Sequence, residues 1–210
     1  MKGNPAKQLL KPKGPFIIIS IPAYNEERDI GRTITDIREA LKEYSYHYTI
    51  LVLNDGSRDN TANIAEEHGA IIVSHRRNKG LAETFRTEMK ECLERGADII
   101  VHTDADGQYD PRHIPELIEK VQGGYDLVLG SRFRGKRMQH MPFTKRFGNI
   151  LFSKVLSSLT KVHITDSTTG YRAFTAEIAR EIDFINTFTY TQEQINKAAK
   201  QGFKITEIPI

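Results

Sequence analysis

The chain has 210 residues, 39% hydrophobic and 27% charged, with a formal net charge of +3. This composition suits one globular domain with one sizeable core, and the lone Cys92 rules out an internal disulfide framework and fits a reducing, cytoplasmic setting. The small net charge, with no arginine-rich helix, zinc-finger spacing or RNA-binding aromatic signature, speaks against nucleic acid, and no apolar run is long enough to cross a bilayer.

Residues 1–15 lack the apolar core of a signal peptide and space Lys2, Lys7, Lys11 and Lys13 among Gly and Pro, which reads as a flexible basic tail. Weak attraction to an anionic membrane face is the sharper alternative for the tail. Phe16 to Ile21 is a β-branched run suited to a strand buried on both faces, stopped by Pro22. Asn25 is placed to cap a helix whose apolar positions are Ile30, Ile34, Ile37 and Leu41, with Glu26 and Glu27 favourable in its first turn. A second strand, Tyr48 to Leu53, ends in Asn54-Asp55-Gly56-Ser57, and a helix follows from about Asn60 to His68. A carboxylate at that strand end can read a base or ribose in an α/β fold, whereas alone it would be a turn residue. Ala70 to Ser74 is a short third strand, His75-Arg76-Arg77-Asn78-Lys79-Gly80 a basic loop, and Leu81 to Arg95 a helix in which Cys92 is a buried or partly buried thiol.

The fourth strand, from Ile99, runs into Thr103-Asp104-Ala105-Asp106-Gly107-Gln108, so a buried strand delivers two carboxylates to a loop at its carboxyl end. In an open α/β sheet ligands bind there. Asp104 and Asp106 offer hard oxygen ligands suited to Mg²⁺ or Mn²⁺ rather than zinc, and such a metal typically holds a diphosphate. The bland alternative is that the pair starts a turn and caps the helix beyond Pro111. That helix carries Ile114, Leu117, Ile118 and Val121 and is closed by Gly123-Gly124, and Asp126 to Gly130 forms a fifth strand. Gly130 to Arg137 nearly matches a phosphate-binding loop. Arg137 stands where the magnesium-binding hydroxyl belongs and Met141-Pro142 delays the next helix, so only a basic, anion-meeting loop is retained. From Pro142 to about Leu159 the apolar residues cover more than one helix face, which predicts core packing on two sides, with contact to a lipid or partner as the alternative. Asp166 to Arg172 reads as a polar loop, followed by helices from about Thr175 and Gln192 and a strand from Lys204 to Ile208. The alternation of strands and helices predicts a mainly parallel sheet with right-handed crossovers.

Taken together, Ile21-Pro22-Ala23-Tyr24-Asn25-Glu26, Asn54-Asp55-Gly56-Ser57-Arg58-Asp59, Asn78-Lys79-Gly80-Leu81-Ala82, Asp104-Ala105-Asp106-Gly107-Gln108, Gly130-Ser131-Arg132, Thr169-Gly170-Tyr171-Arg172 and Glu207-Ile208-Pro209-Ile210 resemble the inverting glycosyltransferases of family 2. The likeness is greatest to polyprenyl-phosphate glycosyltransferases of the dolichol-phosphate mannosyltransferase type. The resemblance implies an α/β chain with the GT-A nucleotide-diphospho-sugar transferase fold, a mainly parallel central sheet flanked by helices, and one catalytic domain over residues 16–210 that stops short of the family's usual end. It implies a GDP- or UDP-sugar donor, a polyprenyl phosphate acceptor, Mg²⁺ or Mn²⁺, and peripheral contact at the cytoplasmic face of a membrane. Pro22, Ala23, Tyr24, Glu26 and Asp55 would then contact the nucleotide, with Leu53 and Ala105 packing nearby. Asp104 and Asp106 would serve the metal and diphosphate, with Gln108 an additional metal ligand; Arg132 and Arg146 would meet the anionic acceptor, and Gly170 and Tyr171 would lie beside sugar and acceptor.

The chain departs from the family pattern in two places. Members that glycosylate sugar hydroxyls carry a general-base aspartate near the last helix, where this chain reads Thr189-Tyr190-Thr191-Gln192-Glu193-Gln194. A lipid monophosphate, with a second pKa of about 6, is largely ionised near neutrality and needs no such base, which favours a lipid phosphate held by the planar forks of Arg132 and Arg146. The family's basic segment beyond Glu207-Ile208-Pro209-Ile210 is also missing, which predicts donor binding with slow turnover. Transfer to a saccharide hydroxyl, or nucleotide-sugar binding without turnover, are the competing readings.

Overall fold

The computed structural model describes residues 14–134, 143–181 and 190–210, with side chains for all of these except 143–148 and 159. Most of the expected basic tail, the basic loop beyond Arg134 and the segment leading to Tyr190 lie outside the described residues.

The elements in chain order are β1 (Phe16–Ala23), α1 (Ile30–Leu41), β2 (His47–Asn54), α2 (Thr61–Glu67), β3 (Ile71–Ser74), α3 (Leu81–Glu94), β4 (Ile99–His102), α4 (Ile114–Gln122), β5 (Leu127–Ser131), α5 (Phe143–Thr160), β6 (Arg172–Thr175), α6 (Ala176–Glu181), α7 (Tyr190–Lys200) and β7 (Ile205–Pro209). They form one 7-stranded sheet in the order β3-β2-β1-β4-β6-β5-β7. Every pairing is parallel except those of β6, which runs antiparallel to both β4 and β5.

Alternation along β1 explains its β-branched sequence. Ile17, Ile19 and Ile21 enter a core under Ile30, Ile34, Ile37, Leu117 and Ile118, while Ile18 faces Phe85, Met89, Cys92 and Phe174 on the other side. A strand covered on both faces has no solvent side to make polar. Cys92 is a free, buried thiol in that second core, and burial pushes it above the usual thiol range.

Three readings of the sequence are corrected. Asn25 does not cap α1: it sits at a left-handed φ of 58°, its Oδ1 accepts from the Arg58 N–H at 2.9 Å, and α1 begins only after Asp29. A short polar side chain tolerates that conformation and satisfies neighbouring backbone instead. Residues 172–175, expected to link a loop to a helix, form the antiparallel strand β6, and α6 starts one residue later. On α5, Leu151, Phe152 and Val155 are 54%, 65% and 51% exposed, so over its described side chains the helix is not packed on two sides. Among the described residues, no helix is long and apolar enough to cross a membrane.

Candidate active site

β1 lies between β2 and β4, and the chain's progress across the sheet reverses at the β1/β4 boundary. Loops leaving the carboxyl ends of strands diverge at such a switch point and open a crevice. The crevice is present: a cleft of about 380 Å³ lined by Pro22, Ala23, Tyr24, Glu26, Asp55, Asn78, Gly80, Leu81, Thr84, Asp104, Ala105 and Asp106. Of the residues anticipated from sequence, it gathers Pro22, Ala23, Tyr24, Glu26, Asp55, Asp104, Ala105 and Asp106. Leu53 is buried in the core behind α3, and the exposed Gln108 is not among the lining residues. Asn78, Gly80, Leu81 and Thr84 were not anticipated as lining; their signal was the Asn-Lys-Gly sequence between the third strand and a helix start.

The acidic loop is fixed from α1, where the Thr33 hydroxyl donates to the Ala105 carbonyl at 2.9 Å. Asp106 Oδ1 accepts from the Gln108 N–H at 3.0 Å, but the turn after Pro111 is capped by Asp110, which accepts from the Arg112 N–H. Asp106 thus starts a turn, as the bland alternative has it, but neither aspartate caps the helix beyond Pro111. Burial, reinforced by Asp106 and Glu88, pushes the Asp104 carboxyl above the usual range, against the pull of His102 and Arg172. Glu26 is likewise raised, by burial and then by Asp106, Asp29, Asp59 and Asp104. Three carboxylates thus crowd one end of the cleft, and among the described lining residues none is basic. A Cβ on Gly170 would stand 3.0 Å from Asp104 Oδ1, so only glycine leaves that carboxylate face open.

Asp55 is of a different kind. Its Oδ1 accepts from His75 Nδ1 at 2.7 Å and from the Lys79 N–H at 2.9 Å, and its Oδ2 accepts from the Gly80 N–H at 2.9 Å. Burial alone would raise its pKa, but these hydrogen bonds outweigh it and hold the carboxyl below the usual range.

On the far side of the acidic loop, Arg132 presents its Nε and Nη2 to Asp166 at 2.7 and 2.9 Å, and Nη2 also donates to Thr168 Oγ1 at 3.0 Å. Its planar fork, expected from sequence to hold the acceptor phosphate, is closed on Asp166, which is itself held by Asn149 of α5. Of the Arg132 guanidinium nitrogens, only Nη1 has no partner among the described residues. Gly170 donates its N–H to the Tyr109 hydroxyl at 3.1 Å. Tyr171, anticipated beside the sugar, is instead fully buried. It stacks on Tyr109 with centroids 4.9 Å apart and donates to the Asp110 carbonyl. Arg146 lies on α5, but its side chain is outside the described residues.

One layer beneath Asp104 the sheet carries a polar row. Ser20 of β1 pairs in register with His102 of β4, and His102 with Arg172 of β6. Glu88 Oε1 accepts from Ser20 Oγ and from His102 Nδ1. Arg172, fully buried, donates to the carbonyls of Thr169 and Thr191 and to Gln194 Oε1. Two cross-strand neighbours of β1 and β6 and two helices are thereby tied to the floor of the acidic loop.

Proteins of known name share much of this sequence. The UDP-N-acetylglucosamine–dolichyl-phosphate N-acetylglucosaminyltransferase of Methanococcus voltae is 32% identical over 217 residues, covering 93% of this chain and 84% of that protein. The undecaprenyl-phosphate mannosyltransferase of Micrococcus luteus is 32% identical over 207 residues, covering 92% and 82%. In fold, the chain is similar to glucosyl-3-phosphoglycerate synthase from Mycobacterium tuberculosis, crystallised with Mn²⁺, uridine diphosphate and phosphoglyceric acid. That likeness has a TM-score of 0.74 at 19% identity, covering 93% of this chain and 69% of that one. The fold is the GT-A fold. The Glycosyl transferase family 2 profile matches residues 18–183, and the chain belongs to that family and is a glycosyltransferase.

Proposed function

We propose that this chain transfers a sugar, with inversion, from a GDP- or UDP-sugar to a polyprenyl phosphate, with Mg²⁺ or Mn²⁺ held by Asp104 and Asp106. The observation that carries the reading is the charge of the cleft: Glu26, Asp104 and Asp106 converge there without a basic side chain among the described lining residues. A diphosphate would be repelled by that wall, and hard carboxylate oxygens are the donor set a small divalent cation takes. When bound, the cation neutralises charge developing on the leaving nucleoside diphosphate. Gln108, next to this pair, is the further ligand we assign.

The chain's own residues then divide the work. Pro22, Ala23, Tyr24, Glu26 and Asp55 form the nucleotide wall over Leu53, with Ala105 beneath. Gly170 keeps the space beside Asp104 open for the sugar, and Tyr171 acts there only by packing under Tyr109. Arg132, steadied by Asp166, turns Nη1 toward the acceptor phosphate, with Arg146 as its partner. An ionised phosphate attacks without a base. In the segment where hydroxyl-glycosylating members carry one, Glu193 is paired with Lys197 at 3.0 Å. The relatives named for dolichyl and undecaprenyl phosphate support this acceptor class. The exposed apolar face of α5 supports contact with the membrane that holds it.

The test is turnover with UDP- and GDP-sugars against undecaprenyl phosphate, the free polyprenol and a saccharide, each with Mn²⁺ or EDTA. Product is expected from the lipid phosphate with metal alone. Transfer to the saccharide would install the hydroxyl reading, and equal turnover in EDTA would remove the metal.

A further inference from the structure

We infer that His75 is a positioning residue for the donor nucleotide: through its Nδ1–H it clamps Asp55, and through Asp55 it fixes the backbone of Lys79 and Gly80 that forms one wall of the cleft. The inference rests on the reading of the cleft as the nucleotide site.

Three separate parts of the fold meet at this ring. His75 directly follows β3, and its N–H donates to the Asn54 carbonyl at the end of β2 at 2.9 Å. Its Nδ1 lies 2.7 Å from Asp55 Oδ1, and its Nε2 lies 2.9 Å from Thr87 Oγ1 on α3. Both side chains of the His75–Asp55 pair are only 6% exposed. The loops that follow these two residues lie tight against each other, because a Cβ on Gly56 would stand 2.5 Å from the Arg77 carbonyl carbon. Gly80, at a left-handed φ of 87°, then opens α3. Asn78, Gly80, Leu81 and Thr84 all line the cleft, so this one clamp sets the wall opposite the acidic loop.

Donor and acceptor inventory fixes the tautomer. An ionised carboxylate accepts only, so Nδ1 carries a proton. At Nε2 the chain accommodates either state. The Thr87 hydroxyl can donate to Nε2, or it can turn to the Glu83 carbonyl, 3.0 Å away, and accept from Nε2–H. Neither arrangement leaves a group unpaired, and the Nδ1–H clamp on Asp55 is kept in both.

That distinction gives the test. The amide nitrogen of Asn overlays Nδ1 and that of Gln overlays Nε2. His75→Asn therefore keeps the donor to Asp55 and loses Thr87, and His75→Gln does the reverse. With UDP and GDP in Mn²⁺ as calorimetric probes, His75→Ala and His75→Gln are expected to weaken binding about tenfold, equivalent to about 1.4 kcal/mol. His75→Asn should recover most of it. In turnover the loss should fall on donor KM and leave kcat within about threefold. Amide hydrogen exchange at Lys79 and Gly80 in the ligand-free chain should quicken in the Ala and Gln variants and not in Asn. The inference is overturned if all three variants match the original chain, or if Asn fails as badly as Ala. Failure of the original chain to bind either nucleotide would sink the reading of the cleft, while the exchange pattern would still decide the clamp.

Discussion

Asp104 is the residue at which stability and function pull hardest against each other. Among the described residues no hydrogen bond reaches its carboxylate, and burial, Asp106 and Glu88 raise its pKa against the opposing pull of His102 and Arg172. For an acid shifted upward, the folded chain holds a proton that the unfolded chain has already released. Stability therefore falls as pH rises from the ordinary aspartate value through the raised one, and above it the ionised group is a net cost. Asp104→Asn removes that cost with little change of shape. It is expected to raise the melting temperature at pH 7 by roughly 2–4 °C, the equivalent of about 1 kcal/mol for a chain of this size. Metal-dependent turnover should fall by about a hundredfold or more, the loss of transition-state stabilisation typical of removing one charged group at a reacting centre. A lower melting temperature would show that the carboxylate is paired in the folded state and that its burial is not strained.

At the scale of elements, α5 is inverted relative to an ordinary surface helix. Beside the buried Leu156, its inner row is polar: Asn149 donates to Asp166 Oδ1 and Thr168 Oγ1, Ser153 bonds Asn149 and Ser167, and Ser157 bonds Ile164. The outer residues Leu151, Phe152 and Val155 are the apolar ones. Phe152→Ser with Val155→Ser should therefore leave the melting temperature nearly unchanged, since exposed substitutions cost within about 0.5 kcal/mol. Cosedimentation with anionic phospholipid vesicles should drop about tenfold or more as two half-exposed apolar groups leave the membrane contact. Vesicle binding equal to the original chain would assign that face to something other than lipid. This inversion also explains the failed expectation of two-sided packing: apolar residues on several faces identify a helix but do not say which face meets the polar loop. β6 was hidden for a related reason. Arg172 interrupts its apolar pattern, and its pairing partners lie about 70–76 positions away on β4 and about 43–47 on β5. Strands β1, β2, β4 and β5 were legible because each carries a largely apolar run that stops at Pro, Asp or Gly within a few residues. Asp104 and Asp106 were legible because they are near neighbours in sequence, whereas the Arg132–Asp166 and Asp55–His75 partnerships join residues that only the folded sheet brings together.

Across the whole molecule, the carboxylates around the cleft form two sets with opposite responses to acid. Asp55 and Asp166 stand on opposite flanks, one on the β2 side and one against Arg132. In each, burial raises the pKa but hydrogen bonds from His75 or Arg132 overcome it, and the net value lies below the usual range. Such groups stabilise the fold above the unfolded value of about 3.9, and that contribution is lost as pH falls through their lower folded values. Glu26 and Asp104 respond the other way: raised, they take up protons above the ordinary carboxylate values. Acidification should then protonate Glu26 and Asp104 before it unlocks the flanks. Mn²⁺-dependent binding of UDP or GDP is expected to fail with a midpoint above about pH 3.9, the ordinary aspartate value. Far-ultraviolet circular dichroism should hold until below about pH 3.9, where the flanking aspartates begin to lose their share of stability. The His75→Ala variant offers an internal control, because releasing Asp55 should move the unfolding midpoint upward and so narrow the interval between the two transitions. Coincident loss of binding and structure at one pH in the original chain would mean that the cleft carboxylates and the flanking clasps titrate as one set, contrary to the separate environments in which the sheet places them.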